Sequence, residues 1–202
     1  PYRNPELVER IKDHKKIARQ TAEEAITILK NEDHILPLKP NDSRKILVIG
    51  SQSAINAYAG RGSGRVKGYE HVNYLSGLKK EYGESLTYLE DPEDQDIESA
   101  EVVLYFVEKP AGEGMDIPFN NSEFNSKISH YAGLSENLVV LFSGGNGFSM
   151  PWLGKVKGLV CNYMLGQEGD TSMANVLSGN VNASGKLPFS RQKEYEDRPA
   201  KA

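Results

Sequence analysis

Only one cysteine, Cys161, occurs in 202 residues, which excludes an internal disulfide and any metal site built on paired cysteines. It lies in the apolar stretch Leu159-Val160-Cys161, where the expected role is a small buried core residue rather than a nucleophile. Long apolar runs are missing too. Runs such as 46–49 and 102–107 fall far short of the roughly 20 residues a membrane-spanning helix requires. Dense runs of lysine or arginine are also absent. With a net charge of −4, the chain has no cationic stripe to track a phosphate backbone, so nucleic acid is not an expected partner. No apolar leader precedes Pro1, so a soluble protein is expected, with a cytoplasmic setting favoured over secretion.

What remains is enough to fold as one unit. Hydrophobic residues make up 38% and charged residues 26% of the chain, a balance that supports a single core. Asn4-Pro5-Glu6 reads as a helix start, with a side-chain cap followed by a proline whose missing donor is harmless in the first turn. Leu7, Ile11, Ala18, Ala22, Ala25, Ile26 and Leu29 recur at three- and four-residue spacings, which predicts one long helix stopping near Asn31. Beyond the turn with Pro37 and Pro40, 45–50 (KILVIG) is a short, continuous, β-branched run, the pattern of a strand covered on both faces. Similar runs recur at 102–107, 138–142 and 159–161, with weaker strand character at 86–89. Helical candidates fall between and after them, at 72–82, 96–100, 122–134 and 168–177. The alternation predicts an α/β fold, a mainly parallel sheet sandwiched between helices.

In such sheets, ligands meet the loops that leave the carboxyl ends of strands. Three of these loops are rich in glycine. Residues 59–66 (AGRGSGRV) invite a phosphate-loop reading, but Gly60 stands ten positions beyond Gly50 and no GK[ST] follows, so a structural or sugar-side loop is the better expectation. Residues 109–116 (KPAGEGMD) leave the strongest strand and hold Glu113 between two glycines. Residues 143–147 (SGGNG) precede Met150-Pro151-Trp152. The only tryptophan, Trp152, is expected in the core ahead of a role as a sugar-stacking platform.

These phrases, taken together, resemble one family. ARQTAEEAITILKNE at 18–32 runs into Leu36-Pro37-Leu38, followed by KILVIG and Gly62-Ser63-Gly64-Arg65-Val66. Then come Gly112-Glu113-Gly114-Met115-Asp116, Met150-Pro151-Trp152, Gly166-Gln167-Glu168-Gly169 and 182–188 (NASGKLP). The order resembles the C-terminal sandwich domain of glycoside hydrolase family 3, β-glucosidase-like enzymes with an (α/β)6-sandwich beside a (β/α)8 barrel. The resemblance implies a retaining β-glycosidase acting on a carbohydrate substrate, with no cofactor or metal. It implies residues 1–17 as a leading helix or linker from the barrel, 18–190 as the sandwich and 191–202 as a tail. It puts the general acid/base on Glu113 and a weaker substrate contact on Asp116. The nucleophile of such enzymes belongs to the barrel, which this sequence does not contain, so the chain alone is expected to be inactive. The sequence also departs from the pattern: Ile117 stands where arginine usually follows the aspartate, Asp170 replaces a second glycine, and Ala183 replaces a proline. A carbohydrate-binding or scaffolding domain that keeps the fold without the chemistry is the competing reading.

Overall fold

In the computed structural model, which describes residues 5–6, 10–41, 43–56, 73–109, 114, 118–120 and 122–191, one sheet runs through the middle of the chain. Its strands are β1 (Thr27–Asn31), β2 (Ile46–Ile49), β3 (Leu86–Leu89), β4 (Val102–Glu108), β5 (Leu138–Ser143) and β6 (Gly158–Cys161). They lie in the order β1-β6-β5-β4-β2-β3. Every pairing from β3 across to β6 is parallel, whereas β1 closes the far edge antiparallel to β6.

The continuous apolar strands are explained by what covers them. Ile46, Val48, Val102, Leu104, Phe106, Val139, Leu141 and Val160 pack into one core. Their alternates Leu47, Ile49, Val103, Tyr105, Val107, Val140, Phe142 and Cys161 pack into a second core on the opposite face. Side chains alternate across a strand, so a strand with two buried faces has no polar position to spare. Helices α1 (Ile11–Ala25), α3 (Tyr74–Tyr82) and α6 (Gly169–Ser178) cover the first face, and α4 (Asp94–Ser99) and α5 (Ser122–Leu134) the second. A single turn, α2 (Gln52–Ile55), follows β2. No helix among the described residues is long and apolar enough to cross a membrane.

Helix starts follow local capping. Asn73 accepts from the Ser76 amide at 2.8 Å and opens α3, while Glu93 and Asp96 form a capping box at the head of α4, two residues earlier than the composition of that segment suggests. The expectation of one helix continuing to Asn31 is wrong. The helix ends at Ala25, Ile26 turns to an extended ψ of 126°, and 27–31 pairs with β6. Ile26 and Leu29 fit a helical stripe by spacing, but they go to opposite cores, the two-residue period of a strand. Pairing with an otherwise bare sheet edge outweighs a weak local preference for helix.

Helices α3 and α6 touch at Gly77, where an added Cβ would sit 2.1 Å from the Asp170 carbonyl oxygen. Gly77→Ala should force the helices apart and cost about 1–3 kcal/mol. Gly133, inside α5 with open space around it, is the control: Gly133→Ala should add about 0.5–1 kcal/mol. Urea denaturation midpoints of the two variants should therefore move in opposite directions.

Candidate functional site at the carboxyl edge of the sheet

The chain leaves β2 toward β3 on one side and later returns to β4 on the other. That reversal makes the carboxyl ends of β2 and β4 the place where connections diverge and a crevice opens. A cleft of about 280 Å³ lies there. Its acidic lining is Glu90, Asp91, Glu108 and Glu123, with Lys127 and Tyr131 on α5. Gly50, with φ at +137°, closes the floor. A Cβ there would fall 2.5 Å from the Phe106 carbonyl oxygen, so only glycine permits this approach of β2 to β4. Tyr88 donates its hydroxyl to Gly50 O at 2.9 Å and accepts from Gln52 Nε2 at 3.0 Å.

The cleft tyrosines remain hydroxyl donors at neutral pH. Burial raises the pKa of Tyr105, aided by Tyr131 and Glu123. Burial likewise raises that of Tyr131, with Asp91 and Asp94 adding to it. Carboxylates and neutral hydroxyls suit the hydroxyls of a polyol better than they suit a phosphate.

Glu113 and Asp116 lie outside the described residues, as does the first glycine loop at 59–66. Of the loop 110–117, Gly114 alone is described, exposed and with φ at +70°. The roots of that loop are defined. Lys109, 2% exposed, donates its amide to Ser143 O at 2.9 Å and its ammonium to Gly147 O at 3.0 Å. At the other root, the Ser149 amide donates to Phe119 O at 3.0 Å. The third glycine loop, 143–149, thus stitches down both ends of the second. Lysine at the end of an apolar strand is the one signal in the sequence that could have flagged this anchor.

Trp152 is fully buried and donates Nε1–H to Asn125 Oδ1 at 2.8 Å, while Asn125 donates to Ser149 Oγ at 3.0 Å. It is a core residue that orders the 143–149 loop and offers no face to a sugar. Cys161 is buried as expected, and burial raises its thiol pKa despite the nearby Arg191. Glu168, of the GQEG phrase, is buried and paired with Arg19 of α1 at 2.8 Å, tying that phrase to the first helix. Sequence reasoning overlooked this pair because its partners stand 149 residues apart.

Residues 26–202 match the model of the glycosyl hydrolase family 3 C-terminal domain. The chain belongs to this family. A crystal structure of the family 3 β-glucosidase of Bifidobacterium adolescentis superposes with a TM-score of 0.79 at 29% identity, over 93% of this chain and 30% of that one. The β-glucosidase BoGH3A of Bacteroides ovatus is 27% identical, over 93% of this chain and 30% of its own length. An exo-α-(1→6)-L-arabinopyranosidase of Bifidobacterium breve is 32% identical, over 93% of this chain and 28% of its own length. The family 3 domain thus spans about three tenths of the length of the curated relatives it matches.

Two outcomes follow from the geometry. Asn125→Ala leaves the indole N–H buried without an acceptor and should cost about 1–3 kcal/mol in chemical denaturation, with Asn125→Asp, which keeps an acceptor, losing less. Because burial favours the protonated thiol, iodoacetamide at pH 8 should label Cys161 more slowly in the folded chain than in urea.

Proposed function

We propose that this chain is the sandwich half of a retaining β-glycosidase of the β-glucosidase type, docked to a (β/α)8 barrel, and that Glu113 is its general acid/base. The observation that carries the reading is the double anchoring of the 110–117 segment: Lys109 on one side and Phe119 on the other are held by the 143–149 loop at the carboxyl edge of the sheet. A short segment with both ends fixed beside an acidic, hydroxyl-rich cleft is well suited to present a carboxyl group to a substrate held by a second domain. Family membership supports the reaction class, and the β-glucosidases among the relatives support the glycone type.

The chemistry follows from the leaving group. A glycosidic oxygen is a weak base, so a carboxylic acid must protonate it as the bond breaks, and the resulting carboxylate must deprotonate water in the second step. For retention the two carboxyl groups stand roughly 5–5.5 Å apart, so the acid must meet a nucleophile from the docked barrel. Apposition to that second carboxylate would also raise the acid's pKa and keep it protonated. Asp116, three residues beyond Glu113, is proposed to contact a substrate hydroxyl. Without the barrel the chain lacks a nucleophile and is inactive.

In the two-domain enzyme, Glu113→Ala should slow cleavage of alkyl β-glucosides by about 10²–10⁴-fold. The glycosylation step with dinitrophenyl β-glucoside should be slowed far less, because that leaving group needs no proton. Stopped-flow and steady-state rates on the two substrates check this, and equal losses on both would remove Glu113 from the acid role.

A further inference from the structure

The cleft at the carboxyl ends of β2 and β4 holds a group that the fold does not use. Tyr105 of β4 is 9% exposed, and its ring packs edge-on against Tyr131 of α5 at 5.3 Å. Its hydroxyl takes no hydrogen-bond partner among the described residues. Tyr105 lines the cleft, and its hydroxyl lies in electrostatic range of Tyr131 and Glu123, two other groups of that lining. Buried polar groups are almost always satisfied in folded proteins. A hydroxyl at the floor of a cleft, with no partner in the chain, is left for a molecule that enters.

The charge around it has one dominant sign. Glu90, Asp91, Glu108 and Glu123 line the cleft with Lys127, and that lysine stands 3.6 Å from Glu123 on its own helix. Glu90 accepts the Gln52 backbone amide at 3.1 Å, and no cation among the described residues pairs with Glu90 or Asp91. Burial raises the pKa of Tyr88 and of Tyr131, and carboxylates add to it, Glu90 and Asp91 at the first, Asp91 and Asp94 at the second. The Asp91 charge is thus felt from β3 to α5. A cleft lined by one sign of charge over a low-dielectric floor concentrates counter-ions. The acceptors are nonetheless dispersed: no three His, Cys, Asp or Glu side chains among the described residues come together to hold a metal ion, whereas calcium asks for six or more oxygens around one point. Dispersed acceptors suit an occupant whose donors are spread around a ring. At about 280 Å³ the cleft stands just below the roughly 300–1,000 Å³ of small-ligand pockets, room for one sugar ring rather than a chain.

We propose that this cleft binds a monosaccharide carrying a protonated amine, with Glu90 and Asp91 taking the ammonium, Glu123 accepting from ring hydroxyls and the Tyr105 hydroxyl donating to the sugar at the floor. The half-buried Tyr131 adds an aromatic surface for the apolar side of the ring. A neutral hexose makes the same hydroxyl contacts but leaves the excess negative charge unanswered, and acetylation of the amine removes the cation while adding bulk. The amine is therefore the group the cleft selects. The site is read from the cleft alone and rests neither on Glu113 nor on a barrel.

Titration of this chain with D-glucosamine, D-glucose and N-acetyl-D-glucosamine at pH 6, followed by calorimetry and by ligand-observed NMR at low and high NaCl, tests the site. Glucosamine should bind about tenfold or more tightly than either neutral sugar, and salt should erode the difference. The double variant Glu90→Gln with Asp91→Asn keeps an acceptor at both positions and should abolish the preference, while Glu84→Gln, an exposed carboxylate outside the cleft, should retain it. Tyr105→Phe should weaken both glucosamine and glucose by about three- to tenfold and leave the melting temperature of the free chain unchanged or raised, since no internal bond is lost. The proposal is overturned if glucosamine fails to bind saturably, if glucose binds as tightly, or if the double variant keeps the preference. A lowered melting temperature in Tyr105→Phe also overturns it, by making the hydroxyl part of the fold. Displacement of glucosamine by CaCl₂ beyond that by NaCl of equal ionic strength would assign the carboxylates to a divalent cation and overturn the amine. Failure of the acid/base reading is distinguishable, because that reading is tested by leaving-group dependence in the two-domain enzyme and these titrations use the chain alone.

Discussion

Burial of both faces of the central strands governs the rest of this molecule. Val102, Val103, Leu104, Leu138, Val139, Val140 and Leu141 are all fully excluded from solvent, and each burial removes a position where a polar group would go unsatisfied. Side chains with chemistry are therefore pushed to the ends of the strands. At the amino ends of β1, β3, β4 and β5 the chain enters from helices or helical turns. At the carboxyl ends Glu108, Lys109, Ser143 and Asn162 appear within one or two residues of the last apolar position. The polar edge is the complement of the dry sheet.

That edge is itself layered. Directly above the strands, Asn162 donates to Ser143 Oγ at 2.8 Å and takes the Phe142 carbonyl with its amide at 3.0 Å, which registers β5 against the chain leaving β6. Tyr74 of α3 stacks on Phe106 at 5.4 Å, so the first face's helices brace the same level. Outside this layer come the loops, and between them the cleft where the connections leaving β2 and β4 diverge. The order from dry sheet to braced polar layer to acidic cleft is what lets the family 3 fold hold loops of varied sequence over one scaffold.

Most of the scaffold was legible in the sequence because it rests on local pattern. Strands β2, β4, β5 and β6 announce themselves as short apolar runs, and the helices between them as capped periodic segments. β1 was not legible: its residues suit a helix as well as a strand, and the decision comes from β6, more than a hundred residues away. The site divides in the same way. Glu113 and Asp116 could be singled out only through resemblance to a family, since a carboxylate between glycines is ordinary on a surface. Lys109 went unread although a lysine closing an apolar strand is a sequence signal, because the contact that gives it meaning, to Gly147 O, lies 38 residues away.

The stitching of residues 109 and 119 to a neighbouring loop separates anchorage from reach. With both feet nailed to the sheet's rim, the span between them can lengthen, shorten or change its tip while the strands beneath keep their register, because closing a longer loop costs only logarithmically more entropy. Proteins as unlike in name as a glucosidase and an arabinopyranosidase can then be built over a common base.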